Sequence, residues 1–129
     1  MSRIFKSVIG YALFLVIGLG GGYAATHAAD WFKPGHEAGD YHAFYPNPAT
    51  KVVLYGTAWC PFCAKAREYL KSKHIAYLDL DVEKQPAAKK QFDQLGGSRF
   101  PVVLIGNRKI TGFNPGEFDA ALGLLNESK

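Results

Sequence analysis

From Ser7 to Thr26 the chain runs twenty residues without a charge, and that stretch decides how the rest can be divided. Twenty residues of helix rise about 30 Å, which matches the hydrocarbon core of a bilayer. Arg3 and Lys6 precede the stretch, and Lys33 is the only Lys or Arg in the twenty residues after it. Because Lys and Arg resist translocation, the amino terminus is expected to stay cytoplasmic and the remainder to lie outside. Residues 1–29 therefore read as a single-pass signal anchor. A cleaved export signal stays open beside that reading, since a basic start, an apolar middle and the small residues Ala24, Ala25, Ala28 and Ala29 suit one. No clean A-x-A stands there, while Gly18, Gly20, Gly21 and Gly22 lower the helix propensity. A buried core helix is the third reading. Either of the first two exports the remainder of the chain.

With 129 residues in all, the remainder has room for one core. Residues 30–50 hold Pro34, Pro46, Pro48, Gly35 and Gly39 with no sustained period, so they read as a linker; Tyr41, Phe44 and Tyr45 suit packing on the domain. The excess of 15 Lys+Arg over 11 Asp+Glu is scattered along the chain, which is no nucleic-acid footprint. His27, His36 and His42 are irregularly spaced and have no partnering Cys, so no metal site is expected.

Residues 51–129 carry the fold. Lys51-Val52-Val53-Leu54-Tyr55 reads as a buried strand ended by Gly56. Pro61 to Lys73 reads as a helix with Cys63, Ala66 and Leu70 on one face. Ile75 to Val82 reads as a strand, with Ala76, Leu78, Leu80 and Val82 on its buried side. Pro86 opens a second helix with Ala88, Phe92 and Leu95 inward, stopped by Gly96-Gly97. Pro101 to Ile105 and Lys109 to Thr111 form a hairpin about Gly106-Asn107, and Asn114 caps a last helix bearing Phe118, Leu122 and Leu125. The order is βαβαββα, an α/β domain with a four-stranded mixed sheet. Its first three strands, joined through helices, are expected to be parallel.

The two cysteines are Cys60 and Cys63, in Cys60-Pro61-Phe62-Cys63 between the first strand and the first helix. A disulfide across so short a loop removes little chain entropy, so stabilisation is a poor reason for the pair. Structural zinc needs about four ligands, and no second pair is present. On a helix the two sulfurs stand about one turn apart, with Cys60 at the end where unpaired amides favour a thiolate. Cys60 is thus the candidate nucleophile and Cys63 its resolving partner. Pro61 suits the first helical position, where no amide hydrogen is needed. Trp59 and Phe62 flank the sulfur and suit docking of a partner.

Tyr55-Gly56-Thr57-Ala58-Trp59-Cys60-Pro61-Phe62-Cys63 resembles the active-site segment of the thioredoxin superfamily, most of all the glutaredoxins with their C-P-Y-C. The resemblance covers about residues 51 to 126. It implies a thioredoxin-like fold and a cis peptide at Pro101, in Phe100-Pro101-Val102. Two segments depart from the family: Thr57 stands where a basic residue is common three positions before the first cysteine, and Arg99-Phe100-Pro101 replaces T-V-P. Thr111-Gly112-Phe113-Asn114-Pro115-Gly116-Glu117 is closer to the G-F-x-P of the redoxin that serves ribonucleotide reductase than to G-G-x-D-D. Helix-end amides near Asn114 suit a carboxylate, with Arg99 or Lys65 as its counter-charge.

The resemblance implies a monomeric thiol-disulfide oxidoreductase. It is expected to reduce or exchange protein or glutathione mixed disulfides, and the charges flanking the apolar segment put that activity on the non-cytoplasmic side of a membrane. No bound cofactor is expected, and glutathione is the candidate electron donor. Substrate contacts are expected from Trp59, Phe62, Arg99, Phe100, Pro101, Phe113 and Asn114. A disulfide oxidase or isomerase of an export folding pathway, and a non-catalytic metal-binding or partner-binding module, remain the alternatives; reduction potential rather than motif separates the first.

Overall fold

The computed structural model of the chain describes residues 2–31 and 34–128. It divides into two compact units, Met1–Pro34 and Gly35–Lys129. The first is a helix, α1 (Ser2–Trp31), unbroken through its glycines. Within it Arg3–Ala28 has a mean hydropathy of 1.8, long and apolar enough to cross a membrane or to act as an export signal. Its described side chains are exposed throughout.

The second unit holds strands β1 (His36–Ala38), β2 (Val52–Gly56), β3 (Leu78–Asp81), β4 (Val102–Ile105) and β5 (Arg108–Thr111), with helices α2 (Pro61–Ser72), α3 (Pro86–Gln94) and α4 (Pro115–Glu127). The sheet order is β1-β5-β4-β2-β3, mixed, in the thioredoxin-like arrangement that the resemblance implied. Along β2 the side chains alternate. Val52 and Leu54 join a cluster with Ala66 and Leu70 of α2 and Phe118, Ala121 and Leu122 of α4. Val53 and Tyr55 join another with Ala88 and Phe92 of α3. Both faces of the central strand are therefore buried, which explains its unbroken apolar run.

Three expectations need correction. The sheet has five strands, because residues 36–38, expected as linker, pair antiparallel with the free edge of β5. Three extended residues are too few to show a period, so only the unpaired edge explains their position. The whole segment is fastened to the domain. Gly39 donates its amide to the Asn107 carbonyl at 2.9 Å, Tyr45 its hydroxyl to the Gly106 carbonyl at 2.9 Å, and Glu37 meets the buried ammonium of Lys109 at 2.8 Å. Tyr41, Phe44 and Tyr45 pack on the α3 cluster, as their apolar character suggested.

The second correction concerns strand direction: β2 and β3 are parallel, but β4 is antiparallel to β2. The cause is the connection after α3. Lys109, in register with Leu104, donates to the Leu95 carbonyl at 2.8 Å, so α3 ends level with the far part of β4. Residues 95–101 then carry the chain to β4, first in a turn whose Gly96 and Gly97 amides bond back to α3 and then through a bend at Arg99 and Phe100.

Third, the strand expected from Ile75 is confined to Leu78–Asp81, and Ala76 is exposed. His74 adopts a left-handed φ of 56° and the Ile75 amide bonds back to the Leu70 carbonyl, so the turn closing α2 uses up the residues before β3. Leu78 and Leu80 do face the α3 cluster, while Tyr77 turns to the other side.

Phe118 is fully buried beneath the sheet and packs edge-on to Tyr69 and Phe113. Replacing it, Phe118→Ala, is expected to destabilise the second unit by about 3–5 kcal/mol in urea denaturation followed by tyrosine and tryptophan fluorescence. A loss below about 1 kcal/mol would mean that this cluster is not the core described.

Candidate active site

Where β2 ends, Gly56 has no side chain, and a β-carbon there would stand 2.8 Å from the Cys63 sulfur. That gap lets α2 lie against the strand with Cys63 inward. Cys60 is the N-cap of α2 in an extended backbone conformation, and its sulfur accepts a hydrogen bond from the Cys63 amide at 3.2 Å. Pro61, at the first helical position, has no amide hydrogen to leave unpaired. The expected geometry of the pair is present: Cys60 keeps 4% of its surface exposed and Cys63 none.

Burial pushes the Cys63 thiol up to about 12, and its hydrogen bond with Cys60 adds to the effect. The Thr57 backbone and the Arg67 guanidinium act in the opposite direction. Arg67 is itself clamped: Nε and Nη2 donate to the Asp79 carboxylate at 2.8 and 3.2 Å, and Nη1 to the Thr57 carbonyl at 3.2 Å. Neither Arg67 nor Asp79 stood out in the sequence. The signal was the spacing, because Arg67 follows Cys63 by four residues and four residues share a helix face.

The Phe100–Pro101 peptide is cis. The β2–β4 register, which pairs Tyr55 with Val102, places Pro101 across from Gly56 when carried one residue further. Pro101 therefore shares the sheet end with Cys63, and its carbonyl is held by the Gly112 amide at 2.7 Å. Trp59 and Phe62 are exposed. Trp59 donates to Glu83 at 3.0 Å and meets Phe100 edge-on, which stacks in turn on Phe92. Lys65 lies over the Phe62 ring at 5.4 Å, and Arg99 is exposed.

Phe113 and Asn114 are used differently. Phe113 packs between Tyr69 and Phe118, and the Asn114 side chain accepts from the Glu117 amide at 3.3 Å as the cap of α4. At the end of that helix one amide hydrogen is missing and two amides are already bonded. Pro115 has no amide hydrogen, the Phe118 amide bonds the Asn114 carbonyl, and the Glu117 carboxylate already stands there. Glu117 accepts from the Gly35 amide at 3.0 Å and pairs with His36 Nδ1 at 2.6 Å; the His36 bond, and then that of Gly35, holds its carboxyl below the usual range.

Residues 52–110, which include both cysteines and Pro101, match the family model described as Glutaredoxin. A glutaredoxin-like 8.6 kDa protein from the rubredoxin operon of Clostridium pasteurianum is 38% identical over 69 residues, covering 53% of this chain and 92% of that protein. The chain belongs to the glutaredoxin family. The glutaredoxin of Pseudomonas aeruginosa is 31% identical over 62 residues, 47% of this chain and 74% of its own. A solved glutaredoxin structure from Archaeoglobus fulgidus superposes with a TM-score of 0.51 at 25% identity, covering 58% of this chain and 88% of that one. Thiol-disulfide oxidoreduction is the general activity that glutaredoxin membership implies. The helix α1, the strand β1 and the whole of α4 fall outside the matched residues.

The difference between the two thiols is measurable. In the reduced native protein at pH 7 to 8, iodoacetamide is expected to label Cys60 and leave Cys63 untouched until pH rises toward 12 or the protein is unfolded. Peptide mass mapping reads the order, and equal labelling of both in the native state would contradict the buried resolving thiol.

Proposed function

We propose that this chain is a membrane-anchored dithiol enzyme that reduces or exchanges disulfides, with Cys60 as nucleophile and Cys63 as resolving thiol. The observation that carries the reading is the Cys63 amide directed at the Cys60 sulfur at the start of α2, with the second thiol buried one turn behind. A backbone donor at a helix amino terminus favours negative charge on the sulfur it faces. The Cys60 thiolate attacks one sulfur of the substrate disulfide, forming a mixed disulfide and releasing the other half as a thiol. Cys63, as its thiolate, then attacks Cys60. The substrate leaves reduced and the enzyme retains a Cys60–Cys63 disulfide.

Protein disulfides and glutathione mixed disulfides are the substrate class, with glutathione as electron donor and the protein working as a monomer without a bound cofactor. Exposed Trp59 and Phe62, with Phe100 and Pro101 beside them, support a docking surface for an extended segment around the target sulfur. The length and hydropathy of Arg3–Ala28, with Arg3 and Lys6 at its start, support an anchor that leaves the redox unit on the non-cytoplasmic side.

Three experiments decide the reading. In a disulfide-reduction assay on the detergent-solubilised chain, Cys60→Ser is expected to fall to background while Cys63→Ser retains a stable adduct of one glutathione by mass. Activity persisting in Cys60→Ser would remove the assigned nucleophile. A titration against glutathione is expected to give a potential near that of the glutathione pool; a strongly oxidising value would make the enzyme an oxidase or isomerase of an export pathway. In membranes, the full-length chain should resist alkaline extraction and expose its carboxyl-terminal unit to protease only from the non-cytoplasmic face. A soluble product lacking residues 1–28 would establish a cleaved signal instead.

A further inference from the structure

We propose that Arg67 is the positioning residue for the second half of this exchange, its clamped guanidinium stabilising the Cys63 thiolate that must form before the mixed disulfide on Cys60 can be resolved. The inference rests on the dithiol reading above and concerns only its resolving step.

Cys63 has no exposed surface, so water does not solvate a thiolate there. Some fixed charge or dipole has to replace the water. Arg67 lies one turn along the same helix, with 19% of its side chain exposed, and is held at three points by Asp79 and the Thr57 carbonyl. A guanidinium tied down in this way is a fixed charge that needs no rearrangement when the anion forms. The backbone of the same Thr57 and the Arg67 guanidinium both oppose the effect of burial on the Cys63 thiol.

The other charges near this pair act elsewhere. From α2 and its cap only Cys60 faces Cys63, and in the mixed disulfide Cys60 carries no charge. Gly56 and Thr57 of the β2 end and Pro101 before β4 do not ionise. Asp79 and Tyr77, from the β3 side, face Arg67. Asp79 is 42% exposed, so water screens it more than the guanidinium it holds. Arg67 is thus the charged neighbour of Cys63 at the moment of resolution. In that step Cys63 gives its proton to solvent and its sulfur attacks the Cys60 sulfur. The bond from Cys60 to the substrate breaks, the Cys60–Cys63 bond forms, and the substrate thiolate takes up a proton. Two electrons pass from the dithiol to the substrate over the whole exchange.

An opposite charge close by moves a titrating group's pKa by about one to three, while intrinsic nucleophilicity changes in the opposite sense about half as steeply. Loss of the charge should therefore slow resolution by about three- to thirtyfold near neutral pH. Rapid quench and mass spectrometry on the full-length chain can track the mixed disulfide as it rises and decays. Arg67→Met is expected to leave its formation, measured in the Cys63→Ser background, within about twofold and to slow its decay in the otherwise intact enzyme. The gap should narrow as pH rises, and Arg67→Lys should recover part of the rate. Should Arg67→Met not fold, Arg67→Gln keeps side-chain donors while dropping the charge and carries the same expectation.

Decay at the unaltered rate, or a slowing independent of pH, overturns the assignment to Arg67 while leaving the dithiol reading intact. Failure of Cys60 to form any adduct in the Cys63→Ser background removes the dithiol reading, and this inference with it.

Discussion

The approach of the Cys63 sulfur to the bare α-carbon of Gly56 is the contact around which the active-site end of the domain is arranged. With any β-carbon at that position, β2 and the first turn of α2 would have to separate. At this distance the helix presses Ala66 and Leu70 into the same cluster that Phe118 fills from α4. The position of the helix fixes the position of its amino terminus, and with it the amide that meets Cys60. Packing and chemistry are therefore one constraint here: the same turn that buries one thiol presents the other at an end rich in backbone donors.

The extension from Gly35 to Tyr45 is the second determinant of the site's surroundings. It adds an edge strand, covers the α3 cluster with three aromatic rings, and brings Gly35 and His36 to the Glu117 carboxylate at the head of α4. A helix end with an acid already seated on it, Pro115 lacking an amide hydrogen and the Glu117 amide bonded to Asn114, gives weaker attraction to another carboxylate. In the proposed function the docking energy of a substrate then comes from the aromatic side, where Trp59 and Phe62 are exposed and Trp59 meets Phe100. Such a surface suits apolar and extended segments better than small anions.

How much of this was legible in the sequence depends on how local its causes are. Cys63, Ala66 and Leu70 share a helix face by spacing alone, Asn114 caps α4 through a bond three residues away, and Gly96 takes a positive φ where the helix was expected to stop. These arrangements are set within a turn or two of chain. The fifth strand, the reversed direction of β4 and the clamp on Arg67 each depend on groups far apart in sequence. His36 pairs across from Ile110, and no period within three residues records that partner. The cis peptide at Pro101 is legible only through family resemblance, because nothing local separates Phe100-Pro101 from an ordinary strand start.

In the proposed exchange, burial of Cys63 also orders the two halves in time. A thiol pushed up to about 12 is almost wholly protonated near neutral pH, so Cys63 does not compete with Cys60 for a substrate in solution. Once a mixed disulfide forms on Cys60, its sulfur lies within one helical turn of Cys63, and proximity replaces acidity as the source of rate. Effective concentrations in well-oriented intramolecular reactions reach about 10⁵ M or more, which offsets a thiolate population of about one in 10⁵. An exposed and acidic Cys63 would resolve faster but would also react with substrates directly, and the distinction between attacking and resolving thiol would be lost.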